Sequence, residues 1–388
     1  MKLYNSLSQK KEEFVPRKKN HVSIYVCGIT PYDVTHLGHA FTYIWFDVLI
    51  RYLTFKGYKV TYTQNVTNID DDILKRAKEE NRDWKELGDF WTRRFLLDMS
   101  ALNVLPPTFF VKATESIALM IGIIEVLLKK GYAYERNGSV YYDITKFKSY
   151  GKLSRFNEKQ MLILSKERGG NPEDPLKKNP LDFVLWQKSK PNEPYWESPW
   201  ARPPATLPNQ LDTKQGDVAG EVGRGFGRPG WHIECSALIH KYLGPQIDIH
   251  GGGLDLIFPH HESEIAQSEI YTGKKPFVSL WMHTEMVSYL GEKMAKSLGN
   301  LVMISDLHRK FSVDAIRFVL LSHHYRESWE FKEKEMYEAE TSIARLKNAQ
   351  DDSSELSKFV SFMDNDLQAN LVLKNLRSRK FLNILGFT

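Results

Sequence analysis

Residues 21–57 read HVSIYVCGITPYDVTHLGHAFTYIWFDVLIRYLTFKG. The first six residues alternate apolar and polar side chains, a period that predicts a β-strand. After a glycine-containing loop, apolar residues recur at helical spacing from Ala40 to Tyr52, and Gly57 suits the end of that helix. Residues 58–66, YKVTYTQNV, then predict a second strand. This order of elements predicts the start of a doubly wound α/β sheet, in which ligands bind at the carboxyl ends of the strands.

The composition indicates a globular protein with more than one core. The chain has 388 residues, of which 42% are hydrophobic, and a single core rarely exceeds roughly 250–300 residues. No run approaches the ~18 apolar residues of a membrane span, and the first residues contain no apolar secretory segment. Two cysteines are too few for a disulfide framework, and we expect both to be reduced in the cytoplasm. The formal charge of +5 permits a nucleic-acid partner without establishing one.

Strand signals return after a long interruption. Residues 115–131, ESIALMIGIIEVLLKKG, predict a helix, and residues 139–144, SVYYDI, predict a strand. Residues 201–230 are rich in Pro and Gly and lack an apolar period, so we expect a long exposed loop. QIDIHGGG (246–253) and FVSLWMH (277–283) then predict a second half-sheet.

We therefore expect five segments, the last two mostly helical. They are a first half of a Rossmann-like domain (1–112), an inserted connective region (113–226), the second half (227–290), a lysine loop with a helical region (291–349) and a helical tail (350–388).

Two cysteines, a histidine and a glutamate form a possible metal-ligand set. Cys27 lies in the opening stretch and Cys235 in GRPGWHIECSALIH. His260 and Glu264 are four residues apart in a helical pattern, so they share a face. Two thiolates, one imidazole and one carboxylate suit zinc. Because no compact CxxC pair is present, the spacing alone fits two buried structural cysteines and a helix-capping histidine equally well.

Three short motifs could contact ATP, although each alone is weakly specific. HLGH (36–39) precedes a helix, whose free N–H groups can hold phosphate; the alternative is a pair of exposed loop histidines. Lys293 and Lys296 in GEKMAKSLGN could neutralise a pyrophosphate leaving group, or they could belong to a solvated surface. HGGGLD offers a backbone that a ligand can approach closely, with Asp255 placed for a ribose hydroxyl.

The order of these motifs is more specific than any one of them. HxGH at a strand end, a half-sheet, an insertion, a second half-sheet and KMxKS together resemble the class I aminoacyl-tRNA synthetases. YVCGITPYDVTHLGHA, NVTNIDDDILKRA, NPLDFVLW, GRPGWHIECSA, DIHGGGLDLIFPHHESEIAQS and KMAKSLGN are similar to cysteinyl-tRNA synthetase over about residues 1–350. The resemblance implies a Rossmann-like doubly wound parallel sheet with an inserted connective domain and a C-terminal helical region.

The resemblance also implies an activity and its partners. The enzyme would activate L-cysteine with ATP and Mg²⁺ to cysteinyl-adenylate and transfer the cysteine to tRNA(Cys). We expect a cytoplasmic monomer that does not contact a membrane. One zinc ion per chain would select the substrate thiolate, because a serine hydroxyl is a poor zinc ligand.

Roles for individual residues follow from the same resemblance. The zinc ligands would be Cys27, Cys235, His260 and Glu264. The residues that stabilise attack on the α-phosphate would be His36, His39, Lys293 and Lys296. The residues that contact cysteine, ATP or the adenylate would be Gly28, Thr30, Thr42, Asn65, Thr67, Trp231, Gly253, Asp255 and Val287. Among these, Trp231 would form a wall of the side-chain pocket.

Four features depart from the family pattern. Ala295 replaces the serine that is usual in KMSKS, and the stretch at about 201–226 is longer than expected. The chain ends at Thr388, so we expect the anticodon-recognition end to be absent. MLILSKERGGNPEDP (161–175) resembles a motif of the mycothiol-pathway ligase, a paralogue that joins cysteine to glucosaminyl-inositol.

Two other functions therefore stand beside the synthetase. We favour the synthetase over the mycothiol-pathway ligase because Glu264 supplies a fourth metal ligand and HHESEIAQS follows the synthetase version. A non-catalytic regulator built on a decayed synthetase is a further alternative. The retained metal and ATP motifs argue against such decay.

Overall fold

The computed structural model describes residues 1–200, 225–294 and 298–388, which belong to two compact units. Unit 1 comprises Met1–Val111, Tyr242–Leu256 and Val278–Thr388; unit 2 comprises Lys112–Lys241 and Ile257–Phe277. Of the long loop expected over residues 201–230, residues 201–224 lie outside the described residues, as do Ala295 and Lys296. The loop prediction is wrong for Gly225–Pro229, which form a strand because their backbone pairs with Phe183–Lys188 and Trp196–Ser198. The expected division of the chain into five segments remains a proposal.

Strands and helices are numbered here in chain order. The described strands are β1 (Lys2–Asn5), β2 (Lys10–Glu13), β3 (His21–Ile29), β4 (Lys59–Val66), β5 (Phe109–Lys112), β6 (Ala133–Arg136), β7 (Ser139–Tyr142), β8 (Phe183–Lys188), β9 (Trp196–Ser198), β10 (Gly225–Pro229), β11 (Ile247–Gly253), β12 (Val278–Thr284), β13 (Val287–Tyr289), β14 (Glu292–Lys293) and β15 (Trp329–Glu330). The described helices are α1 (Leu37–Phe55), α2 (Asp71–Glu79), α3 (Trp84–Ala101), α4 (Ile117–Lys129), α5 (Glu158–Glu167), α6 (Trp231–Tyr242), α7 (His260–Thr272), α8 (Ile304–Lys310), α9 (Val313–Ser322), α10 (Lys334–Lys347), α11 (Leu356–Asp364) and α12 (Ala369–Asn375). Among these helices, none combines the length and hydropathy that crossing a membrane requires.

Unit 1 is built on a five-stranded sheet in the order β12-β11-β3-β4-β5. β3 runs parallel to both β4 and β11, and β11 runs parallel to β12. The predicted doubly wound sheet is therefore confirmed. The chain proceeds from β3 to β4 on one side, whereas β11 and β12 lie on the other. The strand order thus reverses between β3 and β11, and ligands of such sheets bind at the carboxyl ends beside that reversal.

Helix α1 forms where the apolar period predicted it and buries that face against the sheet. Ala40, Ile44 and Val48 are each 0% exposed and belong to the main core of unit 1. The C-terminal tail enters the same core. The Phe359 ring packs edge-on against the Tyr52 ring of α1 with centroids 6.0 Å apart, and Phe359 is fully buried in the same core. The tail is therefore an integral part of unit 1.

Unit 2 contains a second five-stranded sheet in the order β6-β7-β8-β10-β9, whose neighbouring strands are antiparallel. The Tyr142 hydroxyl on β7 donates to the carbonyl of Ala266 on α7 at 3.1 Å. The Ser236 hydroxyl on α6 donates to the Gln267 side chain on α7 at 2.7 Å. These bonds attach α7 to the sheet and to α6, and so fix the two helices that carry the predicted unit 2 ligands.

Candidate active site

Unit 2 brings three of the four predicted metal ligands together. Cys235 lies on α6, and His260 and Glu264 lie one turn apart at the start of α7. The Nε2 atom of His260 is 3.3 Å from the Cys235 sulfur and 3.3 Å from Oε1 of Glu264. All three side chains are almost completely buried. The shared helix face inferred for His260 and Glu264 is confirmed, and α6 adds a thiol that is distant in the sequence.

Two aromatic residues at the start of α6 hold the His260 ring. The Trp231 and His260 rings stack with centroids 4.3 Å apart and an interplanar angle of 27°. On the other edge of the ring, Nδ1 of His260 lies 3.0 Å from Nδ1 of His232. With its second nitrogen held in this way, His260 keeps Nε2 directed at Cys235 and Glu264.

The electrostatics of this group favour a cation between the thiol and the carboxylate. Burial by itself would lower the pKa of His260, but the Cys235 thiolate and the Glu264 carboxylate outweigh it and raise that pKa to about 10. His232 behaves in the opposite way, since burial and the adjacent His260 hold its pKa well below the usual range. The Cys235 thiolate and the Glu264 carboxylate therefore place negative charge on both sides of Nε2 of His260. A proton or a metal ion bound between these groups would neutralise that charge.

Cys27 belongs to unit 1, near the carboxyl end of β3, where it is buried and its carbonyl accepts a bond from the Tyr43 hydroxyl at 3.1 Å. The next residue, Gly28, donates its N–H to Oδ1 of Asn65 on β4 at 2.8 Å. A Cβ atom at position 28 would lie 1.5 Å from the carbonyl oxygen of Asn65, so only glycine fits there. Asn65 in turn donates to the Thr67 hydroxyl at 3.3 Å. Two neighbouring strand ends are thus locked side by side.

Other predicted contact residues surround the same edge of the unit 1 sheet. The Thr42 hydroxyl on α1 lies 2.7 Å from the Thr284 hydroxyl at the end of β12. Thr30 follows β3 and hydrogen-bonds through its side chain to Asp70, whose pKa burial raises to about 6. Val287 is buried in β13, where it pairs with Trp329 of the neighbouring strand β15.

His36 and His39 stand at the N-terminus of α1 with their rings stacked 3.8 Å apart. Nδ1 of His36 accepts the N–H of Gly38 at 3.1 Å and so caps the helix. Burial and the neighbouring His39 lower the pKa of His36 to about 3, and burial lowers the pKa of His39 to about 4. Both imidazoles are therefore neutral near pH 7. Because Nδ1 of His36 is an acceptor, its proton resides on Nε2, which makes His36 a hydrogen-bond donor.

The lysine motif (GEKMAKSLGN) and the glycine motif (HGGGLD) come into contact within unit 1. Nζ of Lys293 on β14 lies 3.7 Å from Oδ2 of Asp255, and both side chains are exposed. Gly253 ends β11, and a Cβ atom there would lie 2.6 Å from Oδ1 of Asp255. The carboxylate therefore folds back over the strand end beside Lys293. Lys296, the other predicted phosphate-binding lysine, lies outside the described residues.

His232 belongs to this site but was not predicted from the sequence. It follows Trp231 directly in the GRPGWHIECS motif, but a lone histidine in a helical sequence gives no sign of its partner. Its contact with His260 spans 28 residues and depends on how α6 packs against α7. The only indication in the sequence was that His232 directly follows Trp231, the predicted wall of the pocket.

Comparison with known proteins identifies the family. A family model described as "tRNA synthetases class I (C) catalytic domain" matches residues 13–204 and 211–341. The cysteine--tRNA ligase of Dehalococcoides mccartyi is 44% identical over 386 residues, covering 96% of this chain and 78% of the relative. That of Thermococcus onnurineus is 47% identical over 348 residues, covering 90% of this chain and 67% of the relative.

A solved structure extends the likeness to the fold. Mycobacterium tuberculosis methionyl-tRNA synthetase in complex with methionyl-adenylate has a TM-score of 0.62 at 13% identity, covering 94% of this chain and 82% of that chain. The fold and the family model together define a class I tRNA synthetase catalytic domain. Within that class, the chain belongs to the cysteine--tRNA ligase family.

Proposed function

We propose that this chain activates L-cysteine with ATP and transfers the cysteine to tRNA(Cys). Membership of the cysteine--tRNA ligase family makes it a ligase. The observation that carries the choice of amino acid is the buried group of Cys235, His260 and Glu264, whose ligand atoms lie within 4.8 Å of one another. Sulfur, nitrogen and oxygen donors of this kind suit a borderline-soft ion such as zinc.

The spacing of the donors supports that ion. With Zn–S of about 2.3 Å and Zn–N of about 2.0 Å, tetrahedral coordination separates sulfur from nitrogen by about 3.5 Å. The corresponding distance from Cys235 to His260 is 3.3 Å. We propose Cys27 as the fourth ligand, on the strength of its position in the family motif. Zinc held there would supply a soft Lewis acid that binds the substrate thiolate in preference to a serine hydroxyl.

The proposed roles of the ATP-binding residues follow from their charge. His36 and His39 would donate neutral N–H bonds to phosphate oxygens, since burial keeps both rings unprotonated. Lys293, joined by Lys296, would stabilise the charge that develops on the departing pyrophosphate. Asp255 beside Lys293 would accept from a ribose hydroxyl and hold that lysine near the nucleotide. Mg²⁺ would enter with ATP as part of the substrate.

Formation of the adenylate needs no general base from the chain. The α-carboxyl group of an amino acid has a pKa of about 3.3–3.7 and is already ionised at pH 7. Its oxygen attacks the α-phosphorus, and pyrophosphate leaves with the electron pair of the broken bond. A terminal ribose hydroxyl of tRNA then attacks the acyl carbon, the bond from that carbon to the phosphate oxygen breaks, and AMP leaves with the electron pair while its phosphate takes up the hydroxyl proton. The proposal includes a cytoplasmic monomer; light scattering of the purified chain tests the oligomeric state.

Residues 161–175, which resemble a motif of the mycothiol-pathway ligase, have a local structural explanation. Gly169 has a positive φ of 81°, and the N–H of Gly170 donates to the carbonyl of Ser165 at 2.7 Å. A Cβ atom at position 170 would lie 2.7 Å from that carbonyl oxygen. Both glycines therefore serve to terminate α5, and the described residues give no separate support for a second acceptor.

The test is a direct comparison of acceptors. Purified protein is given cysteine, ATP and either tRNA(Cys) or glucosaminyl-inositol, and the transfer of labelled cysteine is measured. We expect charging of tRNA alone, preceded by cysteine-dependent exchange of pyrophosphate into ATP. Efficient transfer to glucosaminyl-inositol without tRNA charging would replace the synthetase with the paralogue. Absence of exchange would favour the non-catalytic regulator.

A further inference from the structure

Unit 1 contains a second polar cavity, at the edge of the sheet opposite the predicted active site. Its volume is about 300 Å³, at the lower end of the range for small-molecule sites. The lining residues are Arg17, Lys18, His21, Ser23, Thr61, Tyr242, Leu243, Gln246 and Asp248. They come from the amino ends of β3, β4 and β11 and from the segments that precede these strands. Ser23 and Gly28 are five residues apart on β3, or roughly 16 Å along the strand.

The floor of the cavity is a fully engaged carboxylate. Asp248 is 2% exposed. Its Oδ1 accepts the backbone N–H of Arg17 at 2.6 Å, and its Oδ2 accepts the N–H and hydroxyl of Ser23 at 2.8 and 2.7 Å. Both oxygens are thus occupied by neutral donors. This carboxylate therefore fixes the backbone at Arg17 and Ser23 and forms no direct bond to the Arg17 or Lys18 side chain.

Two cations, Arg17 and Lys18, line the cavity beside the single carboxylate of Asp248. The Arg17 guanidinium is positioned by the neutral side-chain oxygen of Gln246 at 2.7 Å. Lys18 lies in a turn closed by the N–H of His21 donating to the Lys18 carbonyl at 3.0 Å. Within the described part of the chain, neither side chain forms an ion pair. Two cations against one carboxylate, beside hydroxyl and imidazole groups, favour a phosphate-bearing ligand.

The cavity also has an aromatic wall. The Tyr242 ring lines it and packs against Phe109 with centroids 4.9 Å apart, and 38% of Phe109 remains exposed. Aromatic rings next to basic side chains are the arrangement that binds nucleotide units, because bases stack and phosphates pair with the cations. We propose that this cavity binds a nucleoside phosphate, with the phosphate at Arg17 and Lys18 and the base against Tyr242. The ligand is either a free nucleotide or one unit of an RNA strand.

Because AMP also fits the predicted ATP site, the test must show where on the full chain each probe binds. Hydrogen–deuterium exchange is followed with AMP, a six-nucleotide single-stranded RNA and inorganic phosphate as probes. We expect slower exchange at residues 17–24 and 242–248, and about tenfold weaker protection there in Lys18→Ala. Lys10→Ala, which removes an exposed lysine elsewhere in unit 1, serves as the matched control. Pyrophosphate exchange should be unchanged in Lys18→Ala.

The outcomes separate the two sources of the ligand. Equal protection by AMP and RNA identifies a free nucleotide; protection by RNA alone identifies a strand. Tyr242→Leu should weaken AMP binding while leaving phosphate binding unchanged. The proposal is overturned if neither nucleotide protects this edge, if Lys18→Ala behaves like Lys10→Ala, or if inorganic phosphate binds as tightly as AMP.

Discussion

The Nδ1 atoms of His232 and His260 lie 3.0 Å apart within unit 2. Because burial and His260 keep the pKa of His232 far below its usual range, His232 is neutral and its Nδ1 is assigned as the acceptor. His260 therefore donates from Nδ1 and keeps Nε2 available between Cys235 and Glu264. Metal-binding histidines are commonly oriented by such a second bond.

This contact predicts an effect of His232 on metal affinity. His232→Phe keeps a ring of similar size but removes the acceptor, so zinc should bind about 10–100-fold more weakly. Competition with a chromophoric chelator measures the change. Phe183, whose ring lies 5.4 Å from that of His232, provides a control as Phe183→Leu, which alters packing but keeps the acceptor. Equal losses in both variants would assign the effect to packing.

The proposed ligand set predicts about one zinc per chain. Cys235→Ser and His260→Gln should each lose most of it, because each removes a donor at the shared centre. His261→Gln is the matched control, since His261 is also buried and is the next residue of α7. Elemental analysis of purified protein measures the metal. Full zinc content in His260→Gln with loss in His261→Gln would reassign the ligand.

The lowered pKa values of His36 and His39 predict a pH dependence. With pKa values of about 3 and 4, both rings stay neutral between pH 5 and 8, so their titration should not appear in the adenylation rate there. In the unfolded chain a histidine titrates near 6.5. The unfolded state therefore binds more protons between pH 6.5 and these values, and the free energy of unfolding falls as the pH falls through that window.

Denaturant unfolding at pH 7 and pH 5 measures this contribution. His36→Asn retains a side-chain acceptor for the helix cap but does not titrate. We expect a smaller loss of stability between the two pH values in this variant than in the wild type. A histidine NMR titration with a midpoint near 6.5 for His36 would refute the neutral-donor role.

The lysine motif predicts a defect confined to the chemical step. Lys296→Ala should slow adenylate formation by the equivalent of ~2.7–4 kcal/mol while cysteine binding stays largely intact, because the lysine acts on charge developed in the transition state. Lys293→Ala should behave similarly. Lys310→Ala, an exposed lysine that pairs with Glu333, is the control. Pre-steady-state adenylation and equilibrium cysteine binding are measured separately; lost cysteine binding would reject this role.

The packing of Gly28 predicts a site that accepts no side chain. Gly28→Ala would place a Cβ atom 1.5 Å from the Asn65 carbonyl oxygen. We expect the free energy of unfolding to fall by about 3 kcal/mol and cysteine activation to be lost. Gly88→Ala is matched in unit 1, because its Cβ atom would meet only Pro31, at 4.0 Å. Within helix α3 that change should be neutral or stabilise by ~0.5–1 kcal/mol. Chemical denaturation compares the two variants.

The sequence by itself determined the elements whose signal is local. The alternation in residues 21–26 and the helical spacing from Ala40 to Tyr52 predicted β3 and α1, because each period reflects which side of one segment is buried. The four-residue spacing of His260 and Glu264 placed both side chains on one helix face for the same reason. The order of the short motifs was sufficient to indicate the family.

Only the tertiary structure decided which distant groups meet and in what state of charge. Cys235 reaches His260 across 25 residues because α6 and α7 pack together, and no local period encodes that approach. The neutral state of His36 depends on burial and on the charges brought near it, including Lys293 from far along the chain. The C-terminal tail joins the core of unit 1 through Arg317, whose Nε donates to the carbonyl of Leu385 at 2.6 Å. Each of these features arises from desolvation and contact between segments remote in sequence, which become defined only when the chain has folded.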